Sequence, residues 1–178
     1  MTHVSVIGTG NMGQAIAGLV TRGGNSLEVI AETDTDKPVT GDIVATRGEQ
    51  LAGKIVVDIT NPVNFETFDS LVVPADSSAA AGLAALLPSS TVLKAFNTTF
   101  AATLASGTVG DLTTTVQIAG DDADAKALLA GVVTAAGLKA IDAGGLNRAR
   151  ELESFGFLQI TLAAADKVSW VGGFGVAA

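Results

Sequence analysis

A glycine-rich hexapeptide near the start of the chain constrains its fold more than any other feature of the sequence: Gly8-Thr9-Gly10-Asn11-Met12-Gly13. It directly follows Val4–Ile7, a run rich in β-branched residues that is typical of a buried parallel strand. It opens Gln14–Thr21, a stretch rich in small residues that predicts a helix. Gly23-Gly24 ends that stretch, and Leu27–Ala31 predicts a second strand. The chain therefore begins with a strand, a glycine turn, a helix and another strand.

This order of elements is the context in which a glycine turn binds the pyrophosphate of a dinucleotide. In such a turn Gly8 would permit the tight bend, Gly10 would let the backbone approach the pyrophosphate, and Gly13 would allow the helix to pack closely on the strand. The free N–H groups and partial positive charge at the start of the helix attract phosphate. We therefore predict a dinucleotide site over Gly8–Gly13, with a glycine turn that binds no ligand as the alternative.

Segments typical of strands and helices alternate along the rest of the chain. The predicted strands are Ile55–Ile59, Thr91–Ala95, Thr114–Ala119 and Lys139–Asp142, with a middle strand best placed at Asp42–Ala45. The predicted helices are Ser77–Leu87, Ala123–Ala136 and Asn147 to about Lys167. This alternation predicts an α/β fold of the Rossmann type, with a doubly wound, mostly parallel sheet. We expect one domain over residues 1–178, in which residues 147–178 form a small helical extension.

Composition excludes several classes of function. The formal net charge of −8 argues against a nucleic-acid or acidic-membrane partner. The chain has no Cys and no Tyr, and its one histidine, His3, lies before the first strand. A thiolate site, a His-rich metal site and a catalytic Tyr are therefore excluded. We expect a soluble cytoplasmic protein with no membrane span and no metal, in which cofactors carry most of the chemistry.

Polar residues follow two of the predicted strands, at the edge where ligands bind in doubly wound folds. Asn61-Pro62 would position a nicotinamide there, or would simply turn the chain. Asn97 and Thr98 are the candidates for orienting a reaction, with a local backbone cap as the alternative for Asn97. Glu32, near the end of the second strand, would favour NAD over NADP by binding the ribose diol. The segment after it looks shortened, so this residue does not decide the cofactor.

Several sequence blocks together resemble the NADP-dependent reductases of the deazaflavin coenzyme F-420 and their bacterial relatives. Similar blocks occur in the cytoplasmic domain of the six-transmembrane ferric reductases. The matching blocks are Gly8–Gly13, Val57–Val63, Lys94–Thr98, Gly120–Asp122, Asp142–Leu146 and Ala149–Glu153.

The resemblance implies hydride transfer between NADP(H) and a deazaflavin (F-420) or flavin, in a crevice that a homodimer closes. It places Asn97 or Thr98 against the nicotinamide or the deazaflavin, and it requires no protein acid or base. The archaeal reductases carry His at the position of Asn97 and Thr-Pro at Gly156-Phe157, so the chain departs from them beside the deazaflavin. A non-catalytic NADP(H)-binding module or redox sensor is the alternative. A dehydrogenase of small hydroxy or imino acids would need a further helical domain.

The C-terminal third holds further candidates. Arg148 and Arg150, with Glu151 and Glu153, would either clamp an anionic coenzyme tail or form the solvated face of a helix, and the solvated face is favoured. The acids at 121, 122 and 124 are explained by helix capping rather than by a metal. Trp170 would lie at a subunit interface or pack on its own chain.

Overall fold

Strands and helices alternate in the computed structural model, which describes residues 1–31, 44 and 47–177. The N-terminal half contains β1 (His3–Ile7), α1 (Asn11–Arg22), β2 (Ser26–Ile30), β3 (Ile55–Asp58), α2 (Ala79–Leu86) and β4 (Thr91–Lys94). The C-terminal half contains α3 (Ala101–Ser106), β5 (Thr108–Val109), β6 (Leu112–Thr113), β7 (Thr115–Ala119), α4 (Ala123–Ala135), β8 (Lys139–Gly144) and α5 (Ala149–Ala164). Single 3-10 turns cover Gly48–Leu51 and Leu146–Arg148.

Most strand pairs run parallel, as predicted. β1 pairs with β2, and a four-stranded sheet has the order β3-β4-β7-β8. β3 pairs in parallel with β4, and β7 in parallel with β8, whereas β4 meets β7 antiparallel through the single pair Lys94–Ala119. Within the described residues, the β1–β2 pair shares no ladder with the larger sheet. The carboxyl end of β3 therefore lies beside that of β4, where Asp58 is paired with Lys94.

One apolar core joins the two sheets. Helix α1 buries the face that carries Ile16, Leu19 and Val20, a spacing that returns each side chain to the same side of the helix. These residues share a cluster with Leu93 of β4 and Val116 of β7. Because α1 starts at the glycine turn, this packing fixes the turn relative to the strand ends.

Some elements differ from the prediction. Helix α3 and the β5–β6 hairpin were not predicted, since six and two residues are too few to show a helical or strand period. The middle strand at Asp42–Ala45 lies outside the described residues except for Val44, which is helical and packs beside Leu87. Glu32 also lies outside the described residues.

Of the acids at the start of α4, Asp122 caps the helix as predicted, whereas Asp121 binds the backbone of the 3-10 turn after β8. Asp122 accepts a hydrogen bond from the Ala125 amide (2.8 Å), and Asp121 accepts one from the Leu146 amide (2.8 Å). At the end of β8, the Lys126 ammonium donates to Asp142 (2.8 Å) and, with the Gly144 amide, holds the pKa of that carboxyl below its ordinary value.

The C-terminal tail packs on its own chain. The ring of Trp170 lies 5.0 Å from that of Phe100, and the ring of Phe174 lies 5.4 Å from that of Phe155. The tail thereby covers part of α5 and of the loop after β4. Among the helices of the described residues, none is long and apolar enough to cross a bilayer.

Candidate functional site

The glycine turn between β1 and α1 needs two of its glycines for steric reasons. Gly8 has a φ of 108°, which side chains rarely tolerate, and its amide donates to the Ile30 carbonyl (2.9 Å). A Cβ atom on Gly13 would lie 2.3 Å from the Gly8 carbonyl oxygen. By contrast, a Cβ on Gly10 would meet no atom within 4 Å. The turn is therefore closed against the strand at Gly13 and open outward at Gly10.

The start of α1 offers free backbone donors. Its N-cap is Gly10, which makes no side-chain cap, whereas Ser78 caps α2 and Asp122 caps α4. The first N–H groups of a helix have no partner within the helix. Thr9, Gly10 and Asn11 are exposed, and Met12 is half-buried against the core. This end of α1 can therefore bind an anion through backbone amides and the helix dipole.

The loops after β3 and β4 are joined by an asparagine pair, Asn61 and Asn97. The Asn61 side-chain amide donates to the backbone carbonyl oxygen of Asn97 (2.9 Å), and the Asn97 side-chain amide donates to Asn61 Oδ1 (3.0 Å). The Asn97 amide also donates to the Leu152 carbonyl of α5 (2.9 Å). A Cβ on Gly156 would lie 2.3 Å from Asn61 Oδ1, so α5 can approach the pair only because this position is glycine. Pro62, next to the pair, is half-buried.

Two side-chain atoms in the loop after β4 are buried without a partner among the described residues. Asn97 Oδ1 and Thr98 Oγ1 make no hydrogen bond within the described part of the chain, although Asn97 is only 4% and Thr98 only 5% exposed. Buried polar atoms are nearly always hydrogen-bonded, so each such exception needs a reason. Just before them, Phe96 has a φ of 65°, a strained conformation of the kind that collects at functional sites. The end of β4 thus presents an unsatisfied acceptor and an unsatisfied hydroxyl.

A buried ionic cluster of Asp58, Lys94 and Glu153 supports these loops. Lys94 is fully buried, and its ammonium lies 2.8 Å from Asp58 Oδ2 and 2.9 Å from Glu153 Oε1. It also donates to the Thr60 carbonyl (2.5 Å), while the amide and hydroxyl of Thr60 donate to Asp58 Oδ1. Lys94 therefore fixes the backbone immediately before Asn61.

Glu153 connects this cluster to helix α2. Its two carboxylate oxygens accept from the amides of Ala79 (2.9 Å) and Ala80 (3.2 Å), the first residues of α2. The cluster holds two carboxylates for one ammonium, and the helix dipole of α2 stabilises the second carboxylate. The predicted solvated face is therefore wrong for Glu153, which is fully buried. Arg148, Arg150 and Glu151 are exposed, with Arg148 3.9 Å from Glu151.

Sequence reasoning missed this cluster, although one signal for it was present. Lys94 ends an otherwise apolar strand, and a lysine in a buried strand requires a carboxylate partner. Its partners lie in distant segments of the chain. Asp58 is 36 positions from Lys94, and the hydrogen bonds that the Ala79 and Ala80 amides donate to Glu153 span 74 and 73 positions. Only the fold reveals which acids they are.

Gln159 of α5 links the tail to the loop after β4. Its Nε2 donates to the Thr98 carbonyl (3.4 Å), and its Oε1 accepts from the Phe174 amide (3.2 Å). Gln159 is buried, so the two hydrogen bonds that connect the tail to the site through its side chain are shielded from solvent.

Solved structures share this architecture. A protein of Arthrobacter sp. FB24, provisionally assigned as an F420-dependent NADP reductase, matches with a TM-score of 0.79 and 24% identity over 100% of both chains. A hypothetical protein of Sinorhizobium meliloti matches with a TM-score of 0.65 and 24% identity, over 82% of this chain and 86% of that one. The fold is therefore of the Rossmann type, and the predicted fold class is confirmed.

The sequence itself is similar to part of a larger protein. It is 40% identical over 106 residues to the metalloreductase STEAP3 of Rattus norvegicus, a match that covers 60% of this chain and 20% of that protein. The chain thus spans about a fifth of that relative's length. No family model matches the chain. The resemblance that the sequence blocks predicted is confirmed, since this relative is a metalloreductase by name and the Arthrobacter protein is provisionally assigned as an F420-dependent NADP reductase.

Proposed function

We propose that this chain is an NADP(H)-dependent oxidoreductase that transfers a hydride to a deazaflavin (F-420) or a flavin. The observation that carries the proposal is the glycine turn, which is closed at Gly13, open at Gly10 and followed by a helix whose first amides have no side-chain cap. Two relatives support the choice of reaction, since one is provisionally assigned as an F420-dependent NADP reductase and the other is named a metalloreductase.

The residues present fit a bound dinucleotide. The backbone of Gly8–Gly13 would hold its pyrophosphate, because a ligand can approach Gly10 without meeting a side chain. Asn61, Pro62 and Asn97 would lie against the nicotinamide, and a shift of the loop after β4 on binding would give the buried Asn97 Oδ1 and Thr98 Oγ1 a carboxamide as partner. The dinucleotide supplies the hydride, and the protein supplies position and orientation. No catalytic Tyr or Cys is needed, and the chain has neither.

A titration tests this function. Purified protein is titrated with NADPH and, separately, with NADH while the fluorescence of the bound nicotinamide is followed, and oxidised F-420 or FMN is then added. We expect tighter binding of NADPH than of NADH, followed by bleaching of the acceptor. Binding without bleaching of any acceptor would favour the non-catalytic module or sensor. Failure to bind either dinucleotide would overturn the proposal.

Asn97→Ala is expected to slow hydride transfer by about tenfold or more, with a smaller effect on the Kd of NADPH. The substitution removes the group that we place at the reacting rings while leaving the glycine turn intact. Asn61→Ala is the comparison variant, because it breaks the same asparagine pair from the other side while Asn97 stays in place, so an equal loss of rate in both variants would point to the pair rather than to Asn97. Single-turnover rates and NADPH affinity are measured for both variants. A loss confined to NADPH affinity would show that Asn97 binds the dinucleotide without orienting the hydride transfer.

A further inference from the structure

A cavity of about 360 Å³ lies between the segment at 71–77 and helix α5. Leu71, Val73 and Phe157 contribute apolar surface to it, and Ser77, Arg150 and Ser154 contribute polar groups. Its volume is within the range of about 300–1,000 Å³ that is usual for small-molecule sites. The mixed lining suits a molecule that has both an apolar part and a polar group.

Arg150 is the notable polar group of this cavity. Its side chain is exposed, and its guanidinium has no hydrogen bond or ion pair to any residue among 1–31, 44 and 47–177. Neighbouring cations are engaged: Arg148 lies 3.9 Å from Glu151, and Lys126 lies 2.8 Å from Asp142. Arg150 and Phe157 are seven positions apart on α5, so the cation and the apolar ring lie on the same helix face.

Glu153 also lines the cavity, but its charge is already compensated. Its Oε1 lies 2.9 Å from the Lys94 ammonium, and both of its oxygens accept amide hydrogen bonds from the start of α2. The carboxylate therefore has little capacity left to pair with Arg150. In a chain whose formal net charge is −8, the guanidinium gives the cavity a local preference for anions.

The cavity is connected through the buried ionic cluster to the loops that we place at the reacting rings. Glu153 in its wall pairs with Lys94, and Lys94 donates to the Thr60 carbonyl next to Asn61. The ion pair between Glu153 and Lys94 thus lies between a ligand in the cavity and the strand-end loops.

We propose that this cavity, the Arg150 cavity, binds an oxyanion group of the electron acceptor, a phosphate ester or a carboxylate, and so selects anionic acceptors. A guanidinium binds either oxyanion through two parallel N–H donors. The inference rests on the proposed function, because it assigns a second contact to the acceptor of that same reaction.

Two flavins that differ only in their phosphate test the proposal. The quenching of flavin fluorescence gives the Kd of FMN and of riboflavin, without requiring turnover. We expect wild-type protein to bind FMN about tenfold more tightly than riboflavin. Arg150→Gln should abolish that difference by weakening FMN alone. The Kd of a flavin with a carboxymethyl group at N10 is measured in the same way. Binding tighter than that of riboflavin indicates a general oxyanion site, and binding equal to that of riboflavin indicates a phosphate site.

Arg148→Gln is the matched control, since Arg148 is an exposed arginine two positions away that does not line the cavity. Equal binding of FMN and riboflavin, no detectable binding of FMN, or an equal loss in the Arg148 variant would overturn the inference. The Kd of NADPH is measured on the same samples. Normal NADPH binding with no effect of Arg150→Gln rejects the Arg150 cavity alone, whereas absent NADPH binding in wild-type protein rejects the proposed function.

Discussion

Lys94→Met is expected to lower the free energy of unfolding by about 3–5 kcal/mol, the range for removing one partner of a buried ion pair. The substitution leaves Asp58 and Glu153 as two buried carboxylates without a cation, and Lys94 is fully buried with no access to water. Urea unfolding followed by circular dichroism measures the change. Lys126→Met is the control, because the partner of Lys126 is the exposed Asp142, and we expect a much smaller loss there.

A triple variant separates charge from packing. Lys94→Met combined with Asp58→Asn and Glu153→Gln removes all three charges but retains an oxygen acceptor for the Thr60 amide and for one of the two amides of Ala79 and Ala80. We expect it to recover much of the stability lost by the single variant. If it is no more stable than Lys94→Met, the loss arises from packing or from the lost amide acceptor at position 153 rather than from unpaired carboxylates.

Gly10→Val is expected to weaken NADPH binding by at least about 100-fold, a change of about 2.7 kcal/mol in binding free energy. The new side chain would occupy the open space through which we place the pyrophosphate. The fold should persist, because φ at Gly10 is −68° and a Cβ there meets no atom within 4 Å. Isothermal titration with NADPH and an unfolding curve measure the two effects separately.

Gly13→Val provides the comparison within the same turn. A Cβ at that position would lie 2.3 Å from the Gly8 carbonyl oxygen, so this variant should lose stability as well as binding. Unchanged NADPH affinity in a folded Gly10→Val protein would exclude the turn as the dinucleotide site. Equal losses of stability at both positions would contradict the distinction between an open and a closed glycine.

The elements that sequence analysis located are those whose pattern is local. The run before Gly8, the apolar strand that ends near Asp58 and the helix predicted from Ser77 each depend on neighbouring residues, and the structure has all three. Helix α3 was missed because a six-residue helix shows no period. Local patterns therefore gave the order of the elements but not the short connections.

The polar contacts of the candidate site depend on pairings between distant segments. Such pairings could not be predicted from local sequence patterns. Asn61 and Asn97 were recognised separately as strand-end residues, but their mutual hydrogen bonds follow from the pairing of β3 with β4. Glu153 stands among charged neighbours on a helix, a pattern typical of solvent exposure, until α5 is placed against α2. The assignment of Glu153 failed because burial is decided by tertiary packing rather than by neighbours in sequence.

The absence of a side chain at Gly156 has a consequence for how this chain can diverge. A Cβ there would come within 2.3 Å of the Asn61 amide oxygen and 2.9 Å of the Asn97 carbonyl oxygen. A substitution at 156 alone is thus sterically blocked. Shortening Asn61 alone opens a gap beneath α5 and removes one of the acceptors of the Asn97 side-chain amide. Among homologues these three positions should covary, and a redesign that exchanges the asparagines must choose the residue at 156 in the same step.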